Sequence, residues 1–256
     1  MTWTLYSWNV NGIRAAEKKG FLEWLAGTQA DVVAVQETKA HPDQLSQALL
    51  NPAGYYCNWC SAEKKGYSGV GTYSRVRPVR ETTGLADTRF DHEGRVIISE
   101  FEPFVLANIY FPNGGRGPEW VAHKLAFYKR FLEVVQQYRA AGKSVVVTGD
   151  FNTAYAEIDL ARPKENATKS GFMPIERAGL GEVFEAGLVD TFRHLYPTEV
   201  KYTWWDQVTR ARERNVGWRL DYFMVSSDLK DKIVAAEIHD AVMGSDHCPI
   251  SLVLDV

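Results

Sequence analysis

The sequence predicts an α/β fold in which mixed β-sheets pack together and helices flank them. Short β-rich runs recur along all 256 residues, and they are too numerous for a single all-parallel, doubly wound sheet. Several links between runs span only a few residues, such as Glu102-Pro103. Such links must be hairpins, because a parallel crossover needs about a dozen residues or more. Together these observations predict sheets of mixed direction with more strands than helices.

Each element is predicted from a local pattern of apolar residues. Runs of β-branched and aromatic residues predict strands over 4–8, 31–35, 69–73, 95–101, 104–110, 144–148, 220–225 and 250–254. Helical spacing predicts helices over 21–26, 44–50 and 120–141, where Val121, Leu125, Phe131 and Val135 can share one face. No Gly/Ser linker, long charge run or repeat interrupts the chain, so we expect one domain over 1–256.

Composition excludes several classes of protein. With 45% hydrophobic and 24% charged residues the chain has a core to bury and is not disordered. Its 29 Lys+Arg against 32 Asp+Glu give a formal net charge of -3, although a protein that binds nucleic acid is expected to be basic. The eight Trp and twelve Tyr suit cores, interfaces and base or sugar stacking alike.

Three cysteines, an odd number, favour a reducing compartment. Cys57 and Cys60 form a C-x-x-C pair without the further ligands of a structural zinc site, and we interpret them as part of a strand. No apolar run approaches the ~20 residues that a membrane span requires, and no export signal precedes the first strand. We therefore expect a cytoplasmic protein, without a membrane partner.

Polar residues collect at the ends of predicted strands, where loops leave a rigid scaffold and functional groups gather. Each such segment alone could cap a turn, but five of them need another explanation. The five are Ser7-Trp8-Asn9-Val10-Asn11-Gly12, Gln36-Glu37-Thr38-Lys39, Gly149-Asp150-Phe151-Asn152, Asn215-Val216-Gly217-Trp218-Arg219-Leu220-Asp221-Tyr222 and Gly244-Ser245-Asp246-His247-Cys248-Pro249.

Hydrolysis of a phosphodiester accounts for these residue types. It needs an acidic ligand for a hard divalent cation, a group that orients water, and donors for phosphate oxygens. Glu37 offers an oxygen ligand suited to Mg²⁺. His247 has two candidate carboxylate partners, Asp246 and Asp221, and the adjacent one is disfavoured because successive residues of an extended chain point to opposite faces.

The segments resemble the exonuclease III family of abasic-site endonucleases, within the larger endonuclease/exonuclease/phosphatase superfamily. The resemblance runs from Leu5 nearly to the last residue. It includes three further segments in the family's order: Gly66-Tyr67-Ser68-Gly69-Val70, Asn108-Ile109-Tyr110-Phe111-Pro112-Asn113 and Glu157-Ile158-Asp159-Leu160. It implies a DNase I-like four-layer α/β sandwich, with two mixed sheets packed face to face and helices outside.

The resemblance also implies roles for the polar residues. Glu37 would bind Mg²⁺, with Mn²⁺ as a substitute, while Asn9 holds the site and Asp246 is available to a second metal position. Asp150 and Asn152 would handle the attacking water, with Asp150 either the general base or a water-orienting group. The implied contacts to the scissile phosphate are Tyr110, Asn113 and His247, the last held by Asp221. Asn11 is an amide where some family members have a carboxylate, which leaves one or two metals open.

The implied reaction is base excision repair of double-stranded DNA that contains an abasic site. Water would cut the backbone 5′ to the site, leaving a 3′-hydroxyl and a 5′-deoxyribose phosphate, with 3′-repair or exonuclease activity beside it. The family's pocket for the flipped-out sugar maps to Trp204, Trp218 and Leu220, with Asn215 beside it, although Trp218 could equally be a core aromatic. The implied DNA contacts are Arg14, Lys19, Tyr67, Arg95, Arg116, Asn166 and Arg210, for each of which a solvated surface role is the alternative. We expect a monomer, associated with the nucleoid if the source is a prokaryote.

Two other functions compete with this one. The first is a superfamily relative that acts on phosphoinositides, phospholipids or undamaged DNA; Trp204 and Trp218 argue against it. The second is a non-catalytic nucleic-acid-binding paralogue, which would be expected to lose catalytic groups, whereas Glu37, Asp150 and His247 are all present.

Overall fold

The computed structural model describes residues 1–256 and contains two six-stranded mixed sheets packed face to face, with helices on both outer faces. The predicted four-layer sandwich is confirmed. The strands of the chain are β1 (Thr2–Asn9), β2 (Val32–Gln36), β3 (Tyr56–Cys60), β4 (Val70–Ser74), β5 (Arg80–Thr83), β6 (Val96–Glu100), β7 (Val105–Tyr110), β8 (Val145–Asp150), β9 (Leu188–Asp190), β10 (Trp204–Trp205), β11 (Gly217–Trp218), β12 (Asp221–Ser226), β13 (Ile233–Ile238) and β14 (Ile250–Asp255).

Each sheet has a parallel pair at its centre and antiparallel strands outside it. The first sheet has the order β13-β14-β1-β2-β4-β3, and the second has the order β5-β6-β7-β8-β12-β9. The two parallel pairs are β1 with β2 and β7 with β8. Strands β10 and β11 form a separate two-stranded ribbon. The carboxyl ends of two parallel strands therefore lie together in each sheet.

The helices are α1 (Ile13–Glu17), α2 (Phe21–Thr28), α3 (Gln47–Leu50), α4 (Thr88–Asp91), α5 (Pro118–Ala140), α6 (Pro163–Asn166), α7 (Pro174–Glu185) and α8 (Thr191–Leu195). The longest, α5, follows Gly117 and has Pro118 at its first position, where the missing N–H is not needed. None of the helices is both long and apolar enough to span a bilayer.

Alternation along the central strands divides the core into layers. Val146 faces the opposite sheet, while its neighbours Val145 and Val147 pack under α5. In the first sheet Val32 faces the opposite sheet, and Val33 packs under α1 and α2. This period of two, with both faces covered, explains why the central strands are apolar throughout.

Buried amides join the two sheets near the carboxyl ends of the parallel strands. Gln36 of β2 donates from Nε2 to Asn108 Oδ1 on β7 over 2.8 Å and to Ser7 Oγ over 2.9 Å. Asn108 Nδ2 donates in turn to the Gly71 carbonyl on β4 over 2.8 Å. Asn108 is 1% exposed, so these hydrogen bonds fix the offset of one sheet over the other where no water can replace them.

The expected elements are present, with one boundary corrected. A helix was expected over 44–50, but α3 begins only at Gln47, because Leu45 is extended and the Ser46 hydroxyl accepts the Leu49 amide over 3.1 Å as an N-cap. The hairpin at 101–104 is confirmed by a backbone hydrogen bond from Phe101 to Phe104. The C-x-x-C pair lies on β3, and all three cysteines are free.

Removing the Asn108 amide should destabilise the fold. Asn108→Ala leaves one Gln36 donor buried without a partner, at about 1–3 kcal/mol, and removes the hydrogen bond to the Gly71 carbonyl, at about 1 kcal/mol. Urea unfolding should therefore give a free energy of unfolding lower by about 3 kcal/mol. Asn51→Ala, an exposed amide beyond α3, is the control and should change it by less than about 0.5 kcal/mol. Equal stability of the two variants would contradict the proposed tie between sheets.

Candidate active site

Strand register aligns the polar residues at one end of the second sheet. Asp150 is the last residue of β8; it pairs with Tyr110, the last residue of β7, and with Asp221, the first residue of β12. In the first sheet β1 ends at Asn9, and Glu37 follows β2 directly. The sheets therefore bring these ends together at the floor of one cleft.

The cleft has a volume of about 610 Å³ and holds most of the residues that the sequence indicated. Eleven of the named candidates line it: Glu37, Tyr110, Asn113, Asp150, Asn152, Asn166, Trp204, Trp218, Leu220, Asp246 and His247. Asn9 and Asp221 lie just behind them, 0% and 3% exposed. The lining also includes residues without a predicted role there, among them Lys39, Glu165, Ser170, Gly171 and Asp206.

Asn9 joins the two carboxylates that come from different sheets. Its Nδ2 donates to Glu37 Oε2 over 3.0 Å and to Asp150 Oδ2 over 2.9 Å. Its Oδ1 accepts the Asn11 amide over 3.0 Å. Asn9 thus orients Glu37 and Asp150, and its role in holding a metal stays a prediction.

His247 lies between two carboxylates. Its Nδ1 is 2.7 Å from Asp221 Oδ2, and its Nε2 is 3.8 Å from Asp150 Oδ2. Asp221 is therefore the partner of His247, as the alternation argument favours. The adjacent Asp246 turns away and accepts from Asn11 Nδ2 over 2.8 Å and from Trp204 Nε1 over 3.1 Å.

Burial and charge shift the pKa values of this cluster. Burial raises the pKa of Asp150, His247 opposes that shift and the Asp221 carboxylate adds to it, and the net result is a pKa of about 7. Burial alone would lower the pKa of His247, but the carboxylates of Asp221 and Asp150 raise it to about 10. The imidazole is thus held as a cation, a form that can donate from Nε2 to a phosphate oxygen.

Tyr110 is oriented by a buried arginine. Arg95 is 3% exposed; it donates from Nη1 to the Tyr110 carbonyl over 3.1 Å and from Nη2 to the Tyr67 hydroxyl over 2.7 Å. Its Nε pairs with Glu93 Oε2 at 2.6 Å. With all three donor groups engaged, Arg95 supports Tyr67 and Tyr110, and the DNA contacts expected of Arg95 and Tyr67 stay predictions.

The phenol of Tyr110 stays neutral. Burial raises its pKa well above the ordinary value, and the carboxylates of Glu37 and Asp150 raise it further. The hydroxyl is therefore a hydrogen-bond donor in the cleft.

Asn152 is held by hydrogen bonds of both its backbone and its side chain. Its backbone N–H donates to Asp150 Oδ1 over 2.8 Å, and its Nδ2 donates to the Phe111 carbonyl over 2.9 Å. Asn113 Nδ2 donates to Asn152 Oδ1 over 2.9 Å. Asn113 and Asn152 thus form one amide pair beside Asp150.

A cation-binding position is formed by oxygen atoms at the cleft mouth. Lys39 Nζ lies 2.9 Å from Glu37 Oε1 and 2.5 Å from Asn11 Oδ1. Both oxygens line the cleft, and the ammonium shows that they can stabilise positive charge there. Burial opposes ionisation of Asp246, yet His247 and the hydrogen bonds from Asn11 and Trp204 hold its pKa below the ordinary value. A hard oxygen donor set of this kind fits Mg²⁺.

A second set of possible ligands lies deeper. Ligand atoms of Asp150, Asp221 and His247 lie within 4.8 Å of one another and could hold a metal ion. His247 and Asp221 of this set already bond to each other, and the metal role of Glu37 stays a prediction.

One cleft wall is an apolar pocket. Trp204 and Trp218 pair across the β10–β11 ribbon with ring centroids 6.4 Å apart and planes at 81°. Leu220 and Phe172 pack beneath them, and Gly171 completes the wall. Trp218 is half-buried; it lines the cleft and also packs against the buried cluster of Leu220 and Phe172, and its role in a sugar pocket stays a prediction.

Asn215 lies outside this pocket. It is exposed, its backbone has a φ of 50°, and its Oδ1 accepts from Trp205 Nε1 over 3.1 Å. The adjacent Arg219 is 1% exposed and pairs with Asp159 at 2.9 Å and Asp190 at 2.7 Å. Asn166 lines the cleft, but its Nδ2 donates to the carbonyls of Ala161 and Arg162. Asn215 and Arg219 thus support the pocket from behind.

The other predicted DNA contacts lie around the cleft and not in it. Arg14, Lys19, Arg116 and Arg210 are exposed and line none of it. Arg116 lies 4.7 Å over the Trp120 ring and 5.9 Å over the Tyr67 ring. Inside the cleft the bases are Lys39, Arg162 and Lys169, against the acids Glu37, Asp150, Glu165, Asp206 and Asp246. An acidic centre with basic residues outside it is the arrangement that the near-neutral net charge allows; a basic DNA-facing surface remains a prediction.

Sequence reasoning missed Lys39, although it stands in a quoted segment two residues after Glu37. The feature that marks Lys39 in the structure is its backbone conformation. Positive φ values between 45° and 56° are shared by Asn11, Glu37, Lys39 and Asn152. Non-glycine residues rarely adopt this conformation and cluster at functional sites. In the sequence only the two Asn residues indicate this conformation, because Asn adopts positive φ more readily than Glu or Lys.

Comparison with known proteins agrees with this geometry. The model of the Endonuclease/Exonuclease/phosphatase family matches residues 6–247. The chain is 42% identical over 254 residues to an exodeoxyribonuclease of Bacillus subtilis, covering 98% of this chain and 99% of that protein.

Two solved structures are similar in fold. An AP endonuclease from Leishmania major aligns with a TM-score of 0.91 and 31% identity, over 100% of this chain and 88% of that one. A 3′ phosphatase from Neisseria, bound to a product DNA hairpin, aligns with a TM-score of 0.91 and 26% identity, over 99% and 100%.

The buried Asp159 behind the pocket should make stability depend on acid. Burial opposes ionisation of Asp159, but Arg219 and Arg193 hold its pKa below the ordinary value. Its stabilisation is therefore complete above the unfolded pKa of about 3.9 and is lost as pH falls through the lower folded pKa. Asp159→Asn should lose about 3 kcal/mol at pH 7 and show a flatter decline below pH 4.

Urea unfolding at pH 7, 5, 4 and 3 measures both effects. The exposed Asp43→Asn is the control and should follow the wild type at every pH. An Asp159→Asn variant with the acid dependence of the wild type would contradict the assignment.

Proposed function

The chain belongs to the Endonuclease/Exonuclease/phosphatase family and is a hydrolase, and we propose that it is a Mg²⁺-dependent AP endonuclease of base excision DNA repair. It hydrolyses the phosphodiester 5′ to an abasic site in double-stranded DNA and leaves a 3′-hydroxyl and a 5′-deoxyribose phosphate. The observation that carries the proposal is one cleft that holds both the Asp150–His247–Asp221 cluster and the Trp204–Trp218 pocket.

The cluster supports in-line attack of water on phosphorus. Asp150 accepts hydrogen bonds from Asn9 and Asn152, which leave its carboxylate fixed beside the cleft as general base or water-orienting group. Its pKa of about 7 suits a group that takes a proton near neutral pH. Asn113 and Asn152 flank the path of the water.

Two donors stabilise charge on the phosphate. His247, kept cationic by Asp221, and Tyr110, kept neutral by burial, present N–H and O–H groups to the phosphate oxygens. Glu37 and Asp246, with Asn9 orienting Glu37, would hold the metal ion. When bound, Mg²⁺ supplies further neutralisation of the phosphate charge.

The aromatic pocket supports recognition of a missing base. An abasic nucleotide can be read only by a pocket that excludes intact nucleotides, and the walls of Trp204, Trp218 and Leu220 are apolar and close-set. A phosphoinositide or phospholipid headgroup would favour polar donors at this wall. A non-catalytic paralogue would not be expected to keep Glu37 and the whole His247 cluster.

A second activity at 3′ ends is consistent with the same cleft. The Bacillus subtilis relative is an exodeoxyribonuclease, and the Neisseria neighbour is a 3′ phosphatase. A 3′ phosphate has no nucleotide beyond it and could enter where the abasic sugar does. We propose 3′-repair phosphodiesterase and exonuclease action beside the main reaction, by a monomer acting on DNA in the cytoplasm, in the nucleoid of a prokaryotic source.

The nicking assay tests the reaction directly. A duplex with one tetrahydrofuran abasic analogue should be cut 5′ to the analogue in Mg²⁺ or Mn²⁺, and EDTA should stop the cut. Asp150→Asn should lower the rate by about 10²- to 10⁴-fold, as loss of a positioned base does, while DNA binding is retained.

Asp228→Asn is the matched control, since Asp228 bonds to Ser144 at the opposite end of β8. It should cut at the wild-type rate. No nick with either metal would reject the proposed function, and full activity of Asp150→Asn would reject the role of Asp150.

The pocket assignment predicts a change in selectivity. Trp218→Ala opens the apolar wall, so kcat/KM on the abasic duplex should fall by about 10-fold or more while slow cutting of intact duplex increases. Tyr56→Ala removes an exposed aromatic at the far end of the first sheet and is the control. A ratio of abasic to intact cutting equal to that of the wild type would contradict the pocket.

A further inference from the structure

A buried ion pair lies under the cleft and takes no part in the reaction described above. Lys124 of α5 and Glu176 of α7 are both 0% exposed, with Nζ and Oε1 2.8 Å apart. Burying two charges costs several kcal/mol of hydration free energy for each ion. Because a pair of apolar side chains would often give the fold equal stability, stability alone does not explain the ion pair. The remaining hydrogen bonds of the pair show what it holds.

Lys124 holds the backbone of Asn152. Its Nζ donates to the Asn152 carbonyl oxygen over 2.7 Å. Asn152 has a φ of 50°, and this turn is what directs its N–H to Asp150 Oδ1. The ammonium therefore anchors the peptide that follows the water-handling residues.

Glu176 holds the pocket wall on the other side. Its Oε2 accepts the Gly171 N–H over 2.6 Å, and its Oε1 accepts the Ser170 hydroxyl over 2.9 Å. Gly171 has a φ of 94°, and a Cβ there would lie 3.2 Å from both the Asn152 carbonyl oxygen and the Trp218 ring. The Gly171 carbonyl accepts the Ala154 amide over 2.8 Å, which closes the link between the two segments.

We propose that Lys124 and Glu176 are positioning residues that set the spacing between Asn152 and the Ser170–Gly171 wall of the abasic-sugar pocket. Neither touches the substrate. The pair fixes two neighbouring segments of the cleft lining through one ionic contact, so that the attacking water and the flipped sugar are held in one geometry. The inference rests on the proposed function of the cleft.

The energetics of the pair agree with such a role. Burial lowers the pKa of Lys124, and Glu176 opposes that shift by keeping the ammonium charged. Lys124 donates to the Asn152 carbonyl, and Glu176 accepts from the Gly171 N–H. These hydrogen bonds replace the hydration that the two charges lose on burial, and they hold the backbone atoms that the pair positions. An apolar pair would fill the space but leave the Asn152 carbonyl and the Gly171 amide without partners.

Two variants separate positioning from stability. Lys124→Met has nearly the same length and removes the bond to Asn152, but it leaves Glu176 as an unpaired buried charge. The double variant Lys124→Met with Glu176→Gln removes both charges and, like the single variant, lacks the hydrogen bond to Asn152. Val135→Ala, in the apolar core on the same helix, is the destabilised control.

We expect both Lys124 variants to lose kcat to the same extent although they differ in stability. The double variant should unfold at a higher urea concentration than Lys124→Met. Both variants should nevertheless lose about 100-fold in kcat, because misplacing a reacting group by about 1 Å has an effect of this size. KM should change by less than about three-fold. Val135→Ala should lose stability with kcat within about two-fold of the wild type. If Lys124→Met does not fold, the double variant carries the test.

Recovery of wild-type kcat in the double variant would show that the pair serves stability alone and would overturn the proposal. So would wild-type kcat in folded Lys124→Met, or an equal loss of kcat in Val135→Ala.

Hydrogen exchange separates this proposal from the proposed function. The amides of Asn152 and Ala154 should exchange about five-fold faster or more in Lys124→Met and in the double variant, and at the wild-type rate in Val135→Ala. Wild-type protein that cuts no abasic duplex would reject the function, and the exchange rates would still decide the positioning role. Unchanged exchange in both Lys124 variants would overturn it.

Discussion

The packing of the two sheets at a fixed offset is the constraint on which the rest of the molecule depends. It is held at the functional end by buried amides: Gln36 bonds to Asn108 across the interface, and Asn9 of the first sheet bonds to Asp150 of the second. Without that offset, Glu37 and Asp150 would belong to separate surfaces. With it, the ends of two parallel strand pairs form one cleft, and a single amide touches both carboxylates. Polar groups are expensive to bury unless paired, so this end of the sandwich tolerates only one arrangement.

The same constraint explains the electrostatics of the cleft. Asp221, His247 and Asp150 alternate in sign, and each is at most 4% exposed. Such a row is stable only because the fold supplies the partners that water would otherwise supply, and the result is an array of charges that need not reorganise during reaction. A second row of buried charges lies behind the first: Arg95 bonds to the Tyr110 carbonyl, and Lys124 and Glu176 bond to the backbone of Asn152 and Gly171. The proposed mechanism uses the first row, and the proposed positioning pair belongs to the second.

The net charge of -3 is explained by where the charges lie. Five acidic residues line the cleft, whereas Arg14, Lys19, Arg116 and Arg210 are exposed outside it. A metal ion and the buried cation of His247 offset the acids at the centre, so that a duplex could meet basic residues at the rim although the total is slightly negative. Arg95 is buried and bonds to Tyr67, and Asn215 bonds to Trp205; the contacts predicted for both stay predictions.

Local pattern in the sequence determined the central strands, the long helix α5 and the strand-end placement of Asn9, Glu37, Tyr110 and Asp150, because alternation and turn residues act over a few positions. It also favoured Asp221 over Asp246 as the partner of His247. It did not locate α7, which contains Gly179 and Gly181 and buries the charged Glu176, or the edge strand β5, which is only four mostly exposed residues long. Nor could it find Lys124, which reads as an ordinary charge on an amphipathic helix, or the place of Lys39 between Glu37 and Asn11. Those depend on which residues meet across elements far apart in the chain, and only the tertiary packing of the two sheets and their helices decides that.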